Sequence, residues 1–204
     1  HSIKLEPSDT IILFDTAYHS VKDAVASKCS LENAKFKILQ VKDLSDANDI
    51  INTFKSYIEE EHPPGSKIKL AIIDHISSKP AILFPINELV EYCNNNNIPT
   101  LIDGAHTIGS IPNRQDLSRA VVNIDEIGCT FYCLTFHKWG HSPRSAGGVY
   151  VNDELINEKY KDFISLNLGT IHLKPGKGTL KLMSQNLLKA NDLDIKLVTL
   201  RRIN

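Results

Sequence analysis

Six short runs rich in apolar and β-branched residues predict buried strands. They are Thr10–Phe14, Phe36–Val41, Lys69–Ile73, Pro99–Ile102, Cys129–Leu134 and Gly148–Val151. Most of these runs are apolar throughout instead of alternating with polar residues. Continuous apolar strands are typical of a parallel sheet that is covered on both faces.

Between these runs, apolar residues recur every three to four positions, which predicts helices. The predicted helices are Tyr18–Ser27, Ser45–Glu60, Ile86–Cys93 and Glu154–Phe163. Ser45 is expected to cap the second helix, and the run Asn94–Asn97 is expected to end the third. Alternating strands and helices predict an α/β fold, with three layers (α/β/α) and a mainly parallel sheet.

Polar clusters follow four of the predicted strands. Tyr18 follows the first strand, His75–Ser78 the third, Asp103–His106 the fourth and Thr135–Lys138 the fifth. Ligands of such folds bind beyond the carboxyl ends of the strands, so these residues are candidates for one site. Lys138 stands out, because a lysine close to a buried strand resists burial unless it has a task. A desolvated lysine can form an imine, although a lysine that reaches solvent is the ordinary alternative.

Composition narrows the class of protein. Hydrophobic residues make up 42% and charged residues 23%, and the formal net charge is −1. This composition is that of a globular domain, and the charge predicts attraction neither to nucleic acid nor to an anionic membrane. No apolar run approaches the roughly 20 residues of a membrane span. The four cysteines form no CxxC pair, which favours buried, reduced thiols in a cytoplasmic protein and no metal site.

Three motifs together resemble the class V aminotransferase superfamily, whose members use pyridoxal 5′-phosphate (PLP). They are D-G-A-H-x-x-G at Asp103–Gly109, T-x-H-K-W at Thr135–Trp139 and S-P-R-S-A-G-G-V-Y-V at Ser142–Val151. The likeness runs from about Leu5 to Val151 and is greatest to the branch of isopenicillin N epimerase-like and cysteine desulfurase-like enzymes, which includes C–S lyases of ergothioneine synthesis.

The resemblance implies a role for each candidate residue. Lys138 would carry the cofactor and then act as general base at the substrate Cα. The remaining cofactor contacts are implied as follows: Asp103 at the pyridine nitrogen, His106 at the phenolic oxygen, Tyr18 on the ring face, Thr135 and His137 at the phosphate, and Ser78 near the ring or substrate. No metal ligand is implied.

The sequence also departs from the family pattern. The glycine/threonine phosphate loop would precede His1, and about fifty residues after Val151 do not resemble the family's small domain. We therefore expect a piece of the large domain. The expected division is a PLP-binding domain over residues 1–165 and a poorly assigned tail over 166–204.

The expected function is a PLP enzyme that deprotonates an amino-acid substrate at Cα, most simply as a C–S lyase or an epimerase. An aminotransferase or a cysteine desulfurase is possible within the same fold. A catalytically inactive relative that keeps the fold is the alternative from another class. A dinucleotide-binding module is disfavoured, because no G-x-G-x-x-G follows a strand. The resemblance implies a homodimer.

Overall fold

The computed structural model describes residues 3–63, 65–110, 122–143 and 146–152. Contacts divide the chain into two compact units, His1–Lys161 and Asp162–Asn204, and every described residue belongs to the first unit. The predicted helix Glu154–Phe163 and the predicted boundary after residue 165 lie outside the described residues.

Within the described residues, six strands form one mixed sheet, with four α-helices in the connections between them. The strands are β1 (Asp9–Phe14), β2 (Lys35–Leu39), β3 (Lys67–Asp74), β4 (Thr100–Gly104), β5 (Phe131–Thr135) and β6 (Gly147–Val151). The helices are α1 (His19–Leu31), α2 (Ala47–Ser56), α3 (Ile86–Asn95) and α4 (Ile124–Ile127). The strand order is β2-β1-β3-β4-β5-β6; the first five strands of this order are parallel, and β6 pairs with β5 antiparallel.

Apolar side chains leave both faces of the central strands, and each face has its own cluster. Ile11 and Leu13 of β1 pack with Val25 of α1 on one face. Ile12 and Phe14 of the same strand belong to the cluster on the opposite face, which includes Ile50 and Phe54 of α2 and Leu89 and Val90 of α3. This arrangement confirms the predicted three-layer α/β/α fold with a mainly parallel sheet.

One detail of the predicted helices is wrong, the cap of the second helix. The N-cap of α2 is Asp46, whose side chain accepts a hydrogen bond from the Asn48 backbone, whereas the Ser45 hydroxyl donates to Asp43. The α-helix ends at Ser56 and continues as a π-helical turn, Tyr57–Glu61. The expected end of α3 is confirmed, since Asn97 has a left-handed backbone (φ 54°).

Candidate active site

The carboxyl ends of β3, β4 and β5 place polar side chains side by side. Asp74 and Asp103 are partners in the register of β3 and β4, and Asp103 is in turn the partner of Cys133 in β5. Paired residues of neighbouring strands project from the same face of a sheet. Asp103 lies inside β4 and not beyond it, and its Oδ1 accepts a hydrogen bond from the Ala105 backbone at 3.0 Å. This contact folds the turn that carries His106.

Lys138 lies in the turn after β5 and contacts two of the other candidates. Its Nζ is 2.9 Å from Nε2 of His106 and 5.9 Å from the centre of the Tyr18 ring. Burial and the positive charge of Lys138 lower the pKa of His106, and Asp103 opposes this shift. A neutral His106 can accept a hydrogen bond from the Lys138 ammonium group through Nε2. Three residues from three separate polar clusters therefore meet at one point.

The remaining candidates lie near this edge without joining the Lys138 contact. Thr135 is the last residue of β5, and the Nδ1 atom of His137 is 3.1 Å from the Ala146 carbonyl oxygen. Ser78 is exposed in the turn after β3. In the described part of the chain, no hydrogen bond joins these three side chains to Lys138, His106 or Asp103. Lys138 is itself exposed, contrary to the desolvated surroundings that the sequence suggested.

Asp74 is a site residue that was absent from the sequence-based candidates. It is only 6% exposed, and its Oδ2 accepts a hydrogen bond from the Thr16 hydroxyl at 3.2 Å. Burial, followed by the negative charge of Asp103, raises the pKa of Asp74 to about 6, while Thr16, Lys22 and Lys138 oppose the shift. Asp74 is the last residue of β3 and directly precedes the predicted polar cluster His75–Ser78.

A buried hydrogen-bond chain lies beneath the same edge and was also missed. Nδ1 of His75 is 2.6 Å from the Tyr132 hydroxyl, which donates to Thr107 Oγ1 at 3.0 Å. Thr107 donates to the carbonyl oxygen of Gly104 at 2.7 Å, and the His75 backbone N–H donates to the carbonyl oxygen of Asp103 at 3.0 Å. Burial lowers the pKa of His75 to about 4, so the chain is neutral. It ties the Asp103 turn to β3 and β5.

All four cysteines are free thiols within the described residues. Cys129 is fully buried just before β5, and Cys133 within β5 is partly buried. Burial raises the pKa of Cys129 to about 12 and that of Cys133 to about 11. A thiol acts as a nucleophile when it is accessible and ionised. These two thiols are therefore unsuited to nucleophilic chemistry.

Fold and site together define a class of protein: a three-layer α/β domain with a lysine, an imidazole and two carboxyl groups at the carboxyl edge of its sheet. The model of the aminotransferase class-V family matches residues 1–172. The chain belongs to this family, and the resemblance inferred from its motifs is confirmed.

Three curated relatives carry names that describe related reactions. An L-cysteine desulfhydrase of Arabidopsis thaliana is 31% identical over 72% of this chain and 31% of the relative. The hercynylcysteine sulfoxide lyase of Schizosaccharomyces pombe is 30% identical over 72% of this chain and 34% of the relative. The isopenicillin N epimerase of Streptomyces clavuligerus is 28% identical over 77% of this chain and 36% of the relative. The chain thus spans about a third of the length of these relatives.

A solved structure shares the fold. It is the cystine C–S lyase C-DES in complex with its reaction product cysteine persulfide, with a TM-score of 0.58 and 20% sequence identity. The match covers 74% of this chain and 37% of that one. No helix in the described ranges is long and apolar enough to cross a membrane. Within the same ranges, no group of three or more His, Cys, Asp or Glu side chains is arranged to hold a metal ion.

Proposed function

We propose that this chain is part of the cofactor domain of a PLP-dependent enzyme and that Lys138 is the lysine that carries the cofactor. The observation that supports this most strongly is the contact between Lys138 Nζ and His106 Nε2, 2.9 Å apart. This amine stands at the carboxyl edge of a parallel sheet, where ligands of α/β folds bind.

The side chains at this edge fit the chemistry of PLP. The aldehyde of the cofactor needs an amine, and Lys138 supplies one. The protonated ring nitrogen needs an anion, and Asp103 at the end of β4 supplies it. His106 is placed to contact the phenolic oxygen, because it already lies against the amine that would hold the neighbouring aldehyde carbon. Tyr18 offers an aromatic face 5.9 Å from the same amine. Thr135, His137 and Ser78 remain candidates for the phosphate and the substrate.

When bound, PLP supplies an electron sink that makes the Cα–H bond of an amino acid acidic. In the proposed reaction, the released Lys138 amine takes the Cα proton as general base. Asp103 keeps a negative charge against the ring nitrogen. His106 would hold the phenolic oxygen by donating a hydrogen bond, and Tyr18 would cover the ring and exclude water.

We propose C–S cleavage in a sulfur-containing amino acid as the reaction. Two of the relatives are named as a cysteine desulfhydrase and a sulfoxide lyase. A cysteine desulfurase is disfavoured, because it would need an accessible thiolate and the thiols of Cys129 and Cys133 resist ionisation. Epimerisation is the second candidate, favoured by the relative named isopenicillin N epimerase. A catalytically inactive member of the family is the alternative outside enzymes.

Product analysis distinguishes these functions. The chain is incubated with PLP and either L-cysteine or an S-substituted cysteine in D₂O, and pyruvate, sulfide or thiol, and Cα deuterium are measured. A lyase releases the sulfur product and pyruvate, whereas an epimerase incorporates deuterium at Cα and returns the amino acid. Lys138→Ala should abolish either reaction. Lys67→Ala, which removes an exposed lysine at the opposite end of β3, should not change it. A folded chain that releases no product and exchanges no Cα proton would support the inactive alternative.

The remaining proposals concern partners and location. We propose a small amino-acid substrate, a homodimer, and neither nucleic acid nor membrane as a partner. Four free cysteines favour a reducing compartment such as the cytoplasm. Light scattering of the purified chain tests the dimer, and fractionation of the source cells tests the location.

A further inference from the structure

Asp74 is a buried carboxyl group with one hydrogen-bond donor and a second carboxyl group beside it. Only 6% of the residue is exposed, and the Thr16 hydroxyl donates to its Oδ2 at 3.2 Å. Its register partner is Asp103, and neighbouring strands lie about 4.8 Å apart. Two carboxyl groups this close repel each other when both are ionised. If the side chain at position 74 only had to fill space in the core, an apolar residue would cost less free energy than a buried carboxyl group.

Charged groups on three elements act electrostatically on Asp74. Asp103 lies on β4, Lys22 on α1, and Lys138 in the turn after β5. Asp103 raises the pKa of Asp74, and both lysines lower it by favouring the ionised carboxylate. Lys22 is held in place, because its Nζ donates to the carbonyl oxygen of Asp15 at 3.0 Å. The interaction between two charges is mutual, so the charge of Asp74 also acts on Lys138.

We propose that Asp74 is a positioning residue of the cofactor site. It is a buried carboxylate, hydrogen-bonded to Thr16, that adds a second negative charge beside Asp103. This charge would stabilise positive charge on the parts of the cofactor that Asp103 and Lys138 would contact. This inference rests on the proposed function. Asp74 acts through Asp103 and Lys138, and it need not touch the cofactor or the substrate.

The charge of Asp74 can be tested without the cofactor. Acetic anhydride acylates only the uncharged form of an amine, so the rate of acylation of Lys138 reports how much of that form is present. In Asp74→Asn at pH 8, we expect Lys138 to be acylated about twofold faster, as expected for the loss of one charge that solvent largely screens from an exposed amine. Peptide mass spectrometry gives the rate, with exposed Lys67 in the same chain as the internal reference.

A matched variant separates charge from packing. Thr16→Val removes the hydrogen bond but leaves Asp74 ionised at pH 8, so acylation of Lys138 should stay at the wild-type rate. Asp74→Glu, which keeps the charge, should also stay near that rate. Equal rates in wild type and Asp74→Asn would overturn the inference. A rate increase in Thr16→Val as large as that in Asp74→Asn would overturn it too, because the cause would then be packing.

The second measurement uses the cofactor. The visible absorbance of the PLP-loaded chain is titrated with pH, and the midpoint should fall by about 0.3 pH unit in Asp74→Asn, the same twofold effect of one screened charge. An unchanged midpoint would contradict the inference even if the cofactor binds. If no cofactor binds to wild type while acylation of Lys138 still responds to Asp74→Asn, the proposed function fails and the electrostatic link between Asp74 and Lys138 stands. The two failures are therefore distinguishable.

Discussion

Replacing Tyr132 with phenylalanine tests the buried hydrogen-bond chain beneath the site. The ring of Tyr132 is fully buried, so Tyr132→Phe removes one oxygen atom and leaves the packing of the ring in place. Nδ1 of His75, now 2.6 Å from that oxygen, loses its partner in a residue that is 7% exposed. Thr107 loses a donor but keeps its own bond to the Gly104 carbonyl oxygen. The unpaired ring nitrogen of His75 therefore determines most of the effect.

The expected loss follows from the cost of one buried polar group without a partner, about 1–3 kcal/mol. For a chain of this length, a loss of about 2 kcal/mol lowers the melting temperature by about 4–8 °C. Urea denaturation followed by circular dichroism gives the change in the free energy of unfolding. Tyr92→Phe is the matched control, because the Tyr92 hydroxyl donates to Glu59 at 2.8 Å near the surface, where water can replace it. We expect its loss to stay below about 1 kcal/mol.

Equal losses in the two variants would refute this reasoning, since they would mean that burial of the His75–Tyr132 bond has no energetic consequence. A Tyr132→Phe chain as stable as wild type would refute it more directly. In that case water or a rearranged His75 ring would satisfy the ring nitrogen. The buried hydrogen bonds would then not be what fixes the Asp103 turn against β3 and β5.

Three further predictions concern pH and the close contact at Gly104. Burial and Asp103 raise the pKa of Asp74 from 3.8 to about 6, so its stabilising contribution is present below pH 4 and is lost as the pH rises through 6. Urea titrations at pH 7 should therefore find Asp74→Asn more stable than wild type by on the order of 2 kcal/mol. Because burial lowers the pKa of His75 from 6.5 to about 4, its contribution is present above pH 6.5 and is lost as the pH falls to 4; His75→Gln should lose less stability than wild type over that interval, and an identical pH profile would count against a buried neutral imidazole. A Cβ atom at Gly104 would lie 2.0 Å from the Tyr132 ring, so Gly104→Ala should lower the free energy of unfolding, measured in urea, by more than about 2 kcal/mol. Gly148→Ala, where the nearest neighbour would be 3.4 Å away, should lower it clearly less. Similar losses in the two variants would show that the Tyr132 ring moves aside.

Local patterns predicted the six strands and the first three helices of the described residues, but not the one-turn helix α4 (Ile124–Ile127). The run Thr10–Phe14 became β1 because its apolar side chains serve both faces of the sheet. The cap of α2 was predicted wrongly, since both Ser45 and Asp46 suit the position and only the structure shows that Asp43 accepts the Ser45 hydroxyl. The order of the strands did not follow from the sequence, because it depends on pairings between distant segments.

The same limit explains which site residues were found. Lys138, His106 and Tyr18 follow strands, so a parallel sheet alone predicts that they share an edge, and the structure brings them into contact. Their roles toward a cofactor remain predictions. The contact between His75 and Tyr132 joins residues 57 positions apart, and it exists because β3 and β5 flank β4. Along the chain, Tyr132 looks like any aromatic residue of a buried strand.

The central claim is that Lys138 carries the cofactor, and covalent mapping tests it most directly. The folded chain is mixed with PLP, its visible absorbance is recorded, and the sample is reduced with borohydride and digested for peptide mass spectrometry. We expect a visible band in wild type and Lys67→Ala but not in Lys138→Ala. After reduction, the cofactor should be found on the peptide that contains Lys138. A label on another lysine, or no band from a folded chain, would contradict the claim.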